Sequence, residues 1–347
     1  MSKLRKILYP FSLLYGEIVR GRNKAFDRGV LNATKFSIPT IVVGNLNVGG
    51  TGKSPQIEYL VRLLENDYQV AVLSRGYKRK SEGFHLADQD TQPEEIGDEP
   101  MQFYRKFKNI HVAVDADRVN GIRQLEKLSN PPDVVLLDDA FQHRKVAAGF
   151  NILLTAYDNL YIDDMMLPAG NLRENISGAN RAQVIVVSKC PESLSEEAQF
   201  KIAQRLKPKM DQTIFFSTIV YNDAVLNDHD QLALTDLKDY EVLLVTGIAN
   251  ADPLLKYLDR HNIQFKHLKY ADHYNFSVAD KAKIQLEFDR LKSDKKIILT
   301  TEKDYVRGLS NLNEQIYYLP IQTKFVDNGD DFNKIILNYV QQNTANS

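Results

Sequence analysis

Short apolar runs rich in β-branched residues alternate with segments of helical periodicity along the first half of the chain. The stretch 54–67 places Ile57, Leu60, Val61 and Leu64 on one face, which predicts an amphipathic helix. The apolar runs do not alternate with polar residues, which is typical of strands buried on both faces of a parallel sheet. Strands separated by helices predict an α/β fold, with a mostly parallel sheet and helices on both faces. The predicted strands cover 40–45, 70–75, 110–115, 133–139, 151–156 and 184–189.

The second half of the chain shows a different pattern from residue 213 onward. Two β-rich runs flank Asn222 and Asp223 within 213–226, which predicts a β-hairpin that divides the chain. Beyond it, further strand and helix patterns predict a second, smaller α/β unit. The resulting organisation is an N-terminal helix, a main α/β domain, a β-hairpin linker and a C-terminal α/β domain, over 1–30, 31–212, 213–228 and 229–347.

The first thirty residues combine an apolar stripe with basic clusters. This segment contains seven basic side chains and only two acidic ones, Glu17 and Asp27. Pro10 predicts a kink or a displaced helix start. Two interpretations stay open, a helix lying in a membrane interface and a helix packed on its own domain. The stripe consists of Leu4, Ile7, Leu8, Phe11, Leu14 and Ile18.

Composition narrows the class of protein. The 347 residues are 43% hydrophobic and 26% charged, which is ordinary for a globular protein with a sizeable core. The net charge of −1 gives no reason to expect a nucleic-acid partner. The single cysteine, Cys190, cannot form an internal disulfide and fits a reducing compartment. No signal peptide or apolar run of membrane-spanning length is recognisable, so we expect a cytosolic protein.

Residues 44–55, GNLNVGGTGKSP, have the arrangement of a phosphate-binding loop between a buried strand and a helix. The pattern G-x-x-x-x-G-K-[ST] has Asn47 in place of its first glycine, and asparagine tolerates a positive φ better than most residues. Backbone N–H groups of such a loop surround phosphate oxygens, the lysine reaches the β- and γ-phosphates, and the hydroxyl can bind Mg²⁺. The predicted nucleotide-binding residues are Asn47, Val48, Gly49, Gly50, Thr51, Gly52, Lys53 and Ser54.

Carboxylates and other polar side chains follow the neighbouring strands. Asp138 and Asp139 end a buried strand, where a cation or hydrogen bonds must compensate them, although one of them could cap the next helix. Ser74 and Arg75 leave another strand. Taken alone, Asp98 of the turn GDEP fits a helix N-cap better than a base, and His273 of YADHYNFS fits a structural histidine.

Taken together, the motifs resemble those of the tetraacyldisaccharide 4′-kinase family, the lipid A 4′-kinases, in the family's order. They are GNLNVGGTGKSP, SRGYKRK, GDEP, DDAFQHR, PAGNLRE, ADHYNFS and TTEKDYV. The family's loop also lacks the first glycine, whereas Asn47 and Asn171 depart from its commoner residues. The resemblance implies a P-loop NTPase-like fold and transfer of the γ-phosphate of ATP, with Mg²⁺, to the 4′-hydroxyl of a tetraacyldisaccharide 1-phosphate, giving lipid IVA.

The resemblance also implies roles for individual residues. Asp98 is the expected base, with His273 orienting it from the second domain across a cleft whose closure excludes water. Lys53 is expected to stabilise charge on the phosphoryl group. Ser54, Asp138 and Asp139 are the expected Mg²⁺ residues, and Ser74, Arg75 and Glu174 the expected phosphate or substrate contacts. The segment Glu302–Lys303–Asp304 is left as an ordered loop without an assigned role.

The implied acceptor lies in the cytosolic leaflet of the inner membrane of a Gram-negative bacterium, which favours peripheral binding of the N-terminal helix to an anionic surface. No obligate protein partner is evident. An alternative function is a nucleotide-hydrolysing switch or metallochaperone NTPase, because VGGTGKS resembles the loop of deviant-Walker NTPases. Those proteins carry an additional lysine near the start of the loop, where this chain has Asn47 and Val48.

Overall fold

The structure is a computed structural model that describes residues 3–313 and 315–344. The side chains of Lys3, Leu4 and Lys6, which belong to the predicted N-terminal pattern, also lie outside the described part. The same holds for residues 345–347 of the predicted C-terminal domain.

The described residues form fifteen strands and ten α-helices, besides shorter helical turns. The strands are β1 (Thr40–Asn45), β2 (Val70–Ser74), β3 (His85–Leu86), β4 (His111–Val114), β5 (Val134–Asp138), β6 (Phe150–Ala156), β7 (Val184–Ser188), β8 (Thr213–Tyr221), β9 (Ala224–Leu226), β10 (Gln231–Ala233), β11 (Glu241–Thr246), β12 (Phe265–Lys269), β13 (Lys296–Thr301), β14 (Ile316–Leu319) and β15 (Ile321–Phe325). The helices are α1 (Tyr9–Asp27), α2 (Lys53–Leu64), α3 (Pro93–Ile96), α4 (Asp98–Lys106), α5 (Arg118–Leu125), α6 (Glu196–Leu206), α7 (Asp252–Arg260), α8 (Val278–Asp289), α9 (Glu302–Asp304) and α10 (Gly329–Thr344).

Nine strands form the first sheet, in the order β15-β8-β7-β6-β1-β5-β2-β4-β3. Its seven central strands run parallel, and only the edge strands β15 and β3 pair antiparallel with their neighbours. All six strands predicted in the first half of the chain are present, so the predicted α/β fold with a mostly parallel sheet is confirmed.

Both faces of this sheet are covered by apolar cores. Along β1, Ile41 and Val43 point into one core and Val42 points into the other, because successive strand residues face opposite sides. Helices α2 and α10 contribute to the first core, and α5 and α6 contribute to the second. The strands therefore carry continuous apolar runs. The polar residues of the candidate site lie where the strands end.

The second sheet has six strands in the order β10-β9-β14-β13-β11-β12. Strands β14, β13, β11 and β12 are parallel, and β9 and β10 add an antiparallel edge. Helix α7 packs on one face through Leu254 and Leu258, and α8 packs on the other through Ile284 and Phe288. This is the smaller α/β unit that the second half of the sequence predicts.

The segment 213–228 does not form the predicted hairpin. Strand β8 pairs with β7 and β15 of the first sheet, whereas β9 pairs with β10 and β14 of the second. Moreover, β15 and α10 return to the first sheet, so the second unit does not extend over the whole of 229–347. The turn at Asn222 and Asp223 is a passage between sheets, and local turn chemistry does not distinguish the two cases.

Helix α1 lies on the first α/β unit and is held there by polar contacts. Pro10 falls in its first turn, so the proline displaces the start of the helix rather than kinking it. Arg5, in the short helical turn that precedes α1, donates to the carbonyl oxygens of Pro168 and Gly170, at 3.2 and 2.6 Å. The hydroxyl of Tyr15 donates to the carbonyl of Arg173 at 3.0 Å. None of the helices within the described residues is both long and apolar enough to cross a bilayer.

Candidate active site

The glycine-rich loop joins β1 to α2 at the carboxyl edge of the first sheet. Gly49 and Gly52 have φ values of +132° and +81°, which residues with a Cβ rarely adopt. Helix α2 begins at Lys53, directly after Gly52, so its positive end faces the loop. The hydroxyl of Thr51 is buried without a hydrogen-bond partner in the described structure. This arrangement is suited to binding phosphate oxygens.

Asn47 occupies the first position of the loop for a reason that differs from the expected one. Its φ is not positive, so no glycine is required there. The buried side chain instead donates from Nδ2 to Oδ2 of Asp164 at 3.0 Å. The N–H of the next residue, Val48, donates to the carbonyl of Asn171 at 2.7 Å. The segment 164–171 therefore fixes the start of the loop.

Lys53 and Ser54 reach toward the carboxylates of neighbouring elements. Lys53 Nζ lies 3.3 Å from Oδ1 of Asn45 and 3.7 Å from Oδ1 of Asp139. The buried hydroxyl of Ser54 donates to Oε1 of Glu99 at 3.2 Å. The loop is thus connected directly to the end of β5 and to the first turn of α4.

Asp138 and Asp139 end β5 in two different environments. Oδ2 of the buried Asp138 accepts from the hydroxyl of Ser74 at 3.2 Å, and its Oδ1 is buried without a partner among the described residues. Arg173 donates to both oxygens of Asp139, at 2.7 and 3.1 Å, and also binds Asn45. Only Asp138 therefore keeps a carboxylate oxygen available.

The pKa values of the two aspartates are shifted in opposite directions. Burial raises the pKa of Asp138 to about 7, and the nearby charges of Glu99 and Asp139 raise it as well. Burial also acts to raise the pKa of Asp139, but Lys53 and Arg173 outweigh it and lower that pKa below its ordinary value. An unpaired buried carboxylate oxygen beside a serine hydroxyl fits a hard cation such as Mg²⁺.

Among the residues that the structure describes, no three His, Cys, Asp or Glu side chains form a group able to hold a metal ion by themselves. Mg²⁺ commonly binds one or two carboxylates and takes its other ligands from water and substrate phosphates. Ser54 and Asp138 fit such a partial set. Asp139 is committed to Arg173 and fits it less well.

Helix α4 opens with the two carboxylates of the GDEP turn. Its N-cap is Gly97, at φ +94°, so Asp98 is the first helical residue and not a cap. Oδ2 of Asp98 accepts from Nε of Arg307 at 2.7 Å. Oε1 of Glu99 accepts from Nζ of Lys303 at 2.6 Å. Burial acts to raise the pKa of Glu99, but the charges of Lys303 and Lys53 lower it overall.

His273 lies next to this group of charges but does not contact Asp98 directly. Its Nδ1 is 3.3 Å from Nη2 of Arg307. No hydrogen bond joins His273 to Asp98 within residues 3–313 and 315–344. The backbone of His273 has a φ of +55°, and its N–H donates to the carbonyl of Gly247 at 3.1 Å.

The remaining predicted contacts divide into two groups. Arg75 is exposed after β2 and has no hydrogen-bond partner among the described residues, and Ser74 binds Asp138. The buried side chain of Glu174 pairs with Arg181 at 2.8 Å and accepts from Gln142. Both oxygens of Glu174 thus accept hydrogen bonds from the protein itself, and its role as a substrate contact stays a prediction.

Several charged residues at the site were not assigned from the sequence. Lys189, which follows β7, donates from Nζ to the carbonyl of Gly50 at 2.6 Å. Glu99, Lys303 and Arg307 form ion pairs between α4 and the segment after β13. The motif TTEKDYV marks the place of Lys303, and GDEP marks that of Glu99, but neither motif alone reveals the partner.

The chain is similar to known proteins over nearly its full length. The family model for tetraacyldisaccharide-1-P 4′-kinase, LpxK, matches residues 4–341. The chain is 53% identical over 344 residues to the tetraacyldisaccharide 4′-kinase of Flavobacterium johnsoniae, covering 99% of each chain. It is 51% identical to that of Flavobacterium psychrophilum, covering 100% of both.

A solved structure agrees with these relatives. LpxK from Aquifex aeolicus, in complex with ATP, superposes with a TM-score of 0.78 at 32% identity, covering 97% of this chain and 99% of that one. The resemblance stated from the motifs is thereby confirmed over nearly the full length. The chain belongs to the tetraacyldisaccharide-1-phosphate 4′-kinase family.

Proposed function

We propose that this protein transfers the γ-phosphate of ATP to the 4′-hydroxyl of a tetraacyldisaccharide 1-phosphate, the lipid A precursor. The observation that carries the proposal is the hydrogen bond of Ser54 to Glu99, which brings the phosphate-binding loop against the Asp98–Glu99 turn of α4. Membership of the family supports the same reaction. The alternative of a nucleotide-hydrolysing switch is not favoured by it.

In the proposed mechanism, each residue has a positioning or electrostatic role, as phosphoryl transfer requires. Oδ1 of Asp98 accepts the proton of the 4′-hydroxyl while that oxygen bonds to the γ-phosphorus and the bond to the ADP oxygen breaks. Lys53 and the loop amides stabilise charge on the transferring group. Ser54 and Asp138 would hold Mg²⁺, which neutralises charge on the β- and γ-phosphates. Arg75 is free to contact phosphate or substrate.

Helix α1 supports a proposal about where the reaction takes place. Its polar side chains contact the protein, whereas Phe11, Leu14 and Ile18 are more than half exposed along one side. An exposed apolar stripe with cationic flanks is suited to reversible binding at an anionic interface. We therefore propose peripheral association with the cytoplasmic face of the inner membrane of a Gram-negative bacterium, where ATP and the acylated acceptor meet.

Mass spectrometry of the lipid tests the proposed reaction. The purified chain is incubated with ATP, Mg²⁺ and tetraacyldisaccharide 1-phosphate in detergent. The expected product has gained one phosphate at the 4′ position, and Asp98→Asn lowers its rate by ~10²-fold or more while ATP binding is retained. ATP hydrolysis that continues without the acceptor, with no lipid product formed, would instead favour the switch NTPase.

A further inference from the structure

Three pairs of opposite charge join the segment after β13 to α4, beside the longer contact of Arg105 with Ser310 at 3.4 Å. Glu302 accepts from Lys106 at 2.9 and 3.0 Å, Lys303 donates to Glu99, and Arg307 donates to Asp98. The segment belongs to the second α/β unit, and α4 belongs to the first. Of the three contacts, only that of Arg307 reaches the proposed base.

Arg307 is rigidly held from its own side. Its side chain is only 3% exposed, and Nη1 donates to Oδ1 of Asp304 at 3.0 Å. Asp304 is itself fully buried and accepts from the N–H of Gly247 at 2.8 Å and from the hydroxyl of Thr301 at 2.7 Å. A planar guanidinium fixed in this way presents its remaining N–H groups in set directions.

Two of those N–H groups face the proposed catalytic residues. Nε donates to Oδ2 of Asp98 at 2.7 Å, and Nη2 lies 3.3 Å from Nδ1 of His273. A guanidinium donates hydrogen bonds and accepts none, so Nδ1 of His273 has to be the acceptor. An accepting Nδ1 carries no proton, so the ring N–H is at Nε2.

We propose that Arg307 is the positioning residue of the active site, a single guanidinium that fixes both Asp98 and His273. It occupies Oδ2 of Asp98 and leaves Oδ1, which has no hydrogen bond in the described structure, to face the acceptor hydroxyl. His273 is coupled to Asp98 only through Arg307. This inference rests on the proposed function in so far as Asp98 is the base.

Kinetics of three variants test the proposal in the full-length protein. Arg307→Ala lowers kcat by ~10²-fold, and Arg307→Lys by ~10-fold, because an ammonium group neutralises Asp98 but cannot hold both partners in the geometry of the fork. KM for the lipid and the Kd for ATP stay within about threefold, since neither ligand loses a contact. Arg105→Ala is the matched control, because Arg105 also crosses from α4 to the second unit, at Ser310. Its kcat stays within about twofold.

Imidazole ¹⁵N spectra provide a test that does not depend on turnover. At pH about 8.5, above the ordinary pKa of histidine, wild-type His273 shows protonated Nε2 and unprotonated Nδ1. A His273→Gln spectrum assigns the signals. In Arg307→Lys, which keeps the charge, the fraction of this tautomer falls toward that of a free histidine side chain, because no guanidinium donor faces Nδ1.

These measurements separate the two proposals. Absence of lipid product from the wild-type protein overturns the proposed function, and the spectra then decide whether Arg307 holds His273. A wild-type His273 protonated on Nδ1, or unchanged kcat in folded Arg307→Ala and Arg307→Lys, overturns the role of Arg307.

Discussion

The two oxygens of the Asp138 carboxyl group have different surroundings. One accepts a hydrogen bond from Ser74, and the other is buried without a partner among the described residues. A buried acceptor without a partner destabilises a folded protein, by about 1–3 kcal/mol and by more when the group is charged. The protein therefore compensates the carboxylate of Asp138 less well than that of Asp139, which Arg173 stabilises.

We expect Asp138→Asn to stabilise the ligand-free protein while reducing kinase activity. Burial raises the pKa of Asp138 from 3.8 to about 7, so the wild-type protein loses stability as the pH rises through that range and the carboxyl group ionises in the unfolded chain. The amide removes this loss and can still accept from Ser74. The stability advantage of the variant is larger at pH 8 than at pH 5, by on the order of 1 kcal/mol, in urea unfolding at the two pH values.

Asp139→Asn is the control for this experiment. Its carboxylate has a lowered pKa because Lys53 and Arg173 outweigh burial, so the substitution removes a favourable pairing and destabilises the protein at pH 8. An Asp138→Asn variant that is less stable than wild type at both pH values would contradict the electrostatic assignment.

Sequence spacing finds the residues of the site that belong to one short motif. Lys53 and Ser54 are placed by the loop pattern, and Asp138 by its position at the end of a buried strand. It does not find Arg307, because the pairing with Asp98 joins residues 209 positions apart. Sequence spacing also gives no information on burial. The motif position of Glu174 does not reveal that its side chain is buried against Arg181.

At the scale of elements, helix α1 and the short helical turn before it, which holds Arg5, lie against their own domain and still expose an apolar side. Arg5, Tyr15 and Asn23 bind the first α/β unit, and the hydroxyl of the buried Ser12 accepts from the N–H of Ala169 at 2.9 Å. The opposite side of the helix carries exposed apolar side chains. The helix is thus packed on its own domain, and its exposed apolar stripe is the surface that the proposed membrane association would use.

Replacing Phe11, Leu14 and Ile18 together by serine is expected to weaken membrane binding at least ~10-fold, because each apolar side chain that enters a bilayer contributes on the order of 1 kcal/mol. Folding is retained, since these side chains are 62–63% exposed. Co-sedimentation with vesicles containing phosphatidylglycerol measures the bound fraction.

The matched control is Phe200→Ser, because Phe200 is equally exposed, at 62%, on α6. Its bound fraction stays at the wild-type level. If the control and the triple variant lose binding to the same extent, the apolar stripe of α1 is not the docking surface.

Buried parallel strands were predictable because each is a short apolar run between helices. The partner of β8 was not, since an antiparallel neighbour supplied by β15, far along the chain, leaves no local signal. The same holds for α10, whose Phe332, Ile336 and Val340 complete a core of the first sheet.

At the scale of the whole molecule, a buried charge cluster joins the two sheets. Lys106 on α4 lies 2.7 Å from Glu58 on α2 and 2.9 Å from Glu302, which follows β13. Burial raises the pKa of Glu302 to about 7, as does Glu58, against the lowering effect of Lys106. This ammonium group therefore pairs with two buried carboxylates from different units, of which Glu58 is also paired with Arg62 at 2.9 Å.

Lys106→Met is expected to lower the free energy of unfolding by about 3–5 kcal/mol, because it leaves both carboxylates with less compensation in a buried site. Lys201→Met is the control, since Lys201 forms an exposed pair with Glu197, and its effect stays within about 0.5 kcal/mol. Urea unfolding at neutral pH compares the two. Equal, small losses for both variants would show that the cluster does not hold the units together.

The pairing of β8 with β15 determines how the second sheet can move. Tyr221 lies opposite Ile321, and the N–H of Asn222 donates to the carbonyl of Pro320 at 3.0 Å, so the outgoing and returning chains are neighbours. These two adjacent chain connections would allow the second unit to rotate about the line along which they lie. They would resist its translation relative to the first unit. Any change in the distance between Arg307 and Asp98 would accordingly follow an arc about this line.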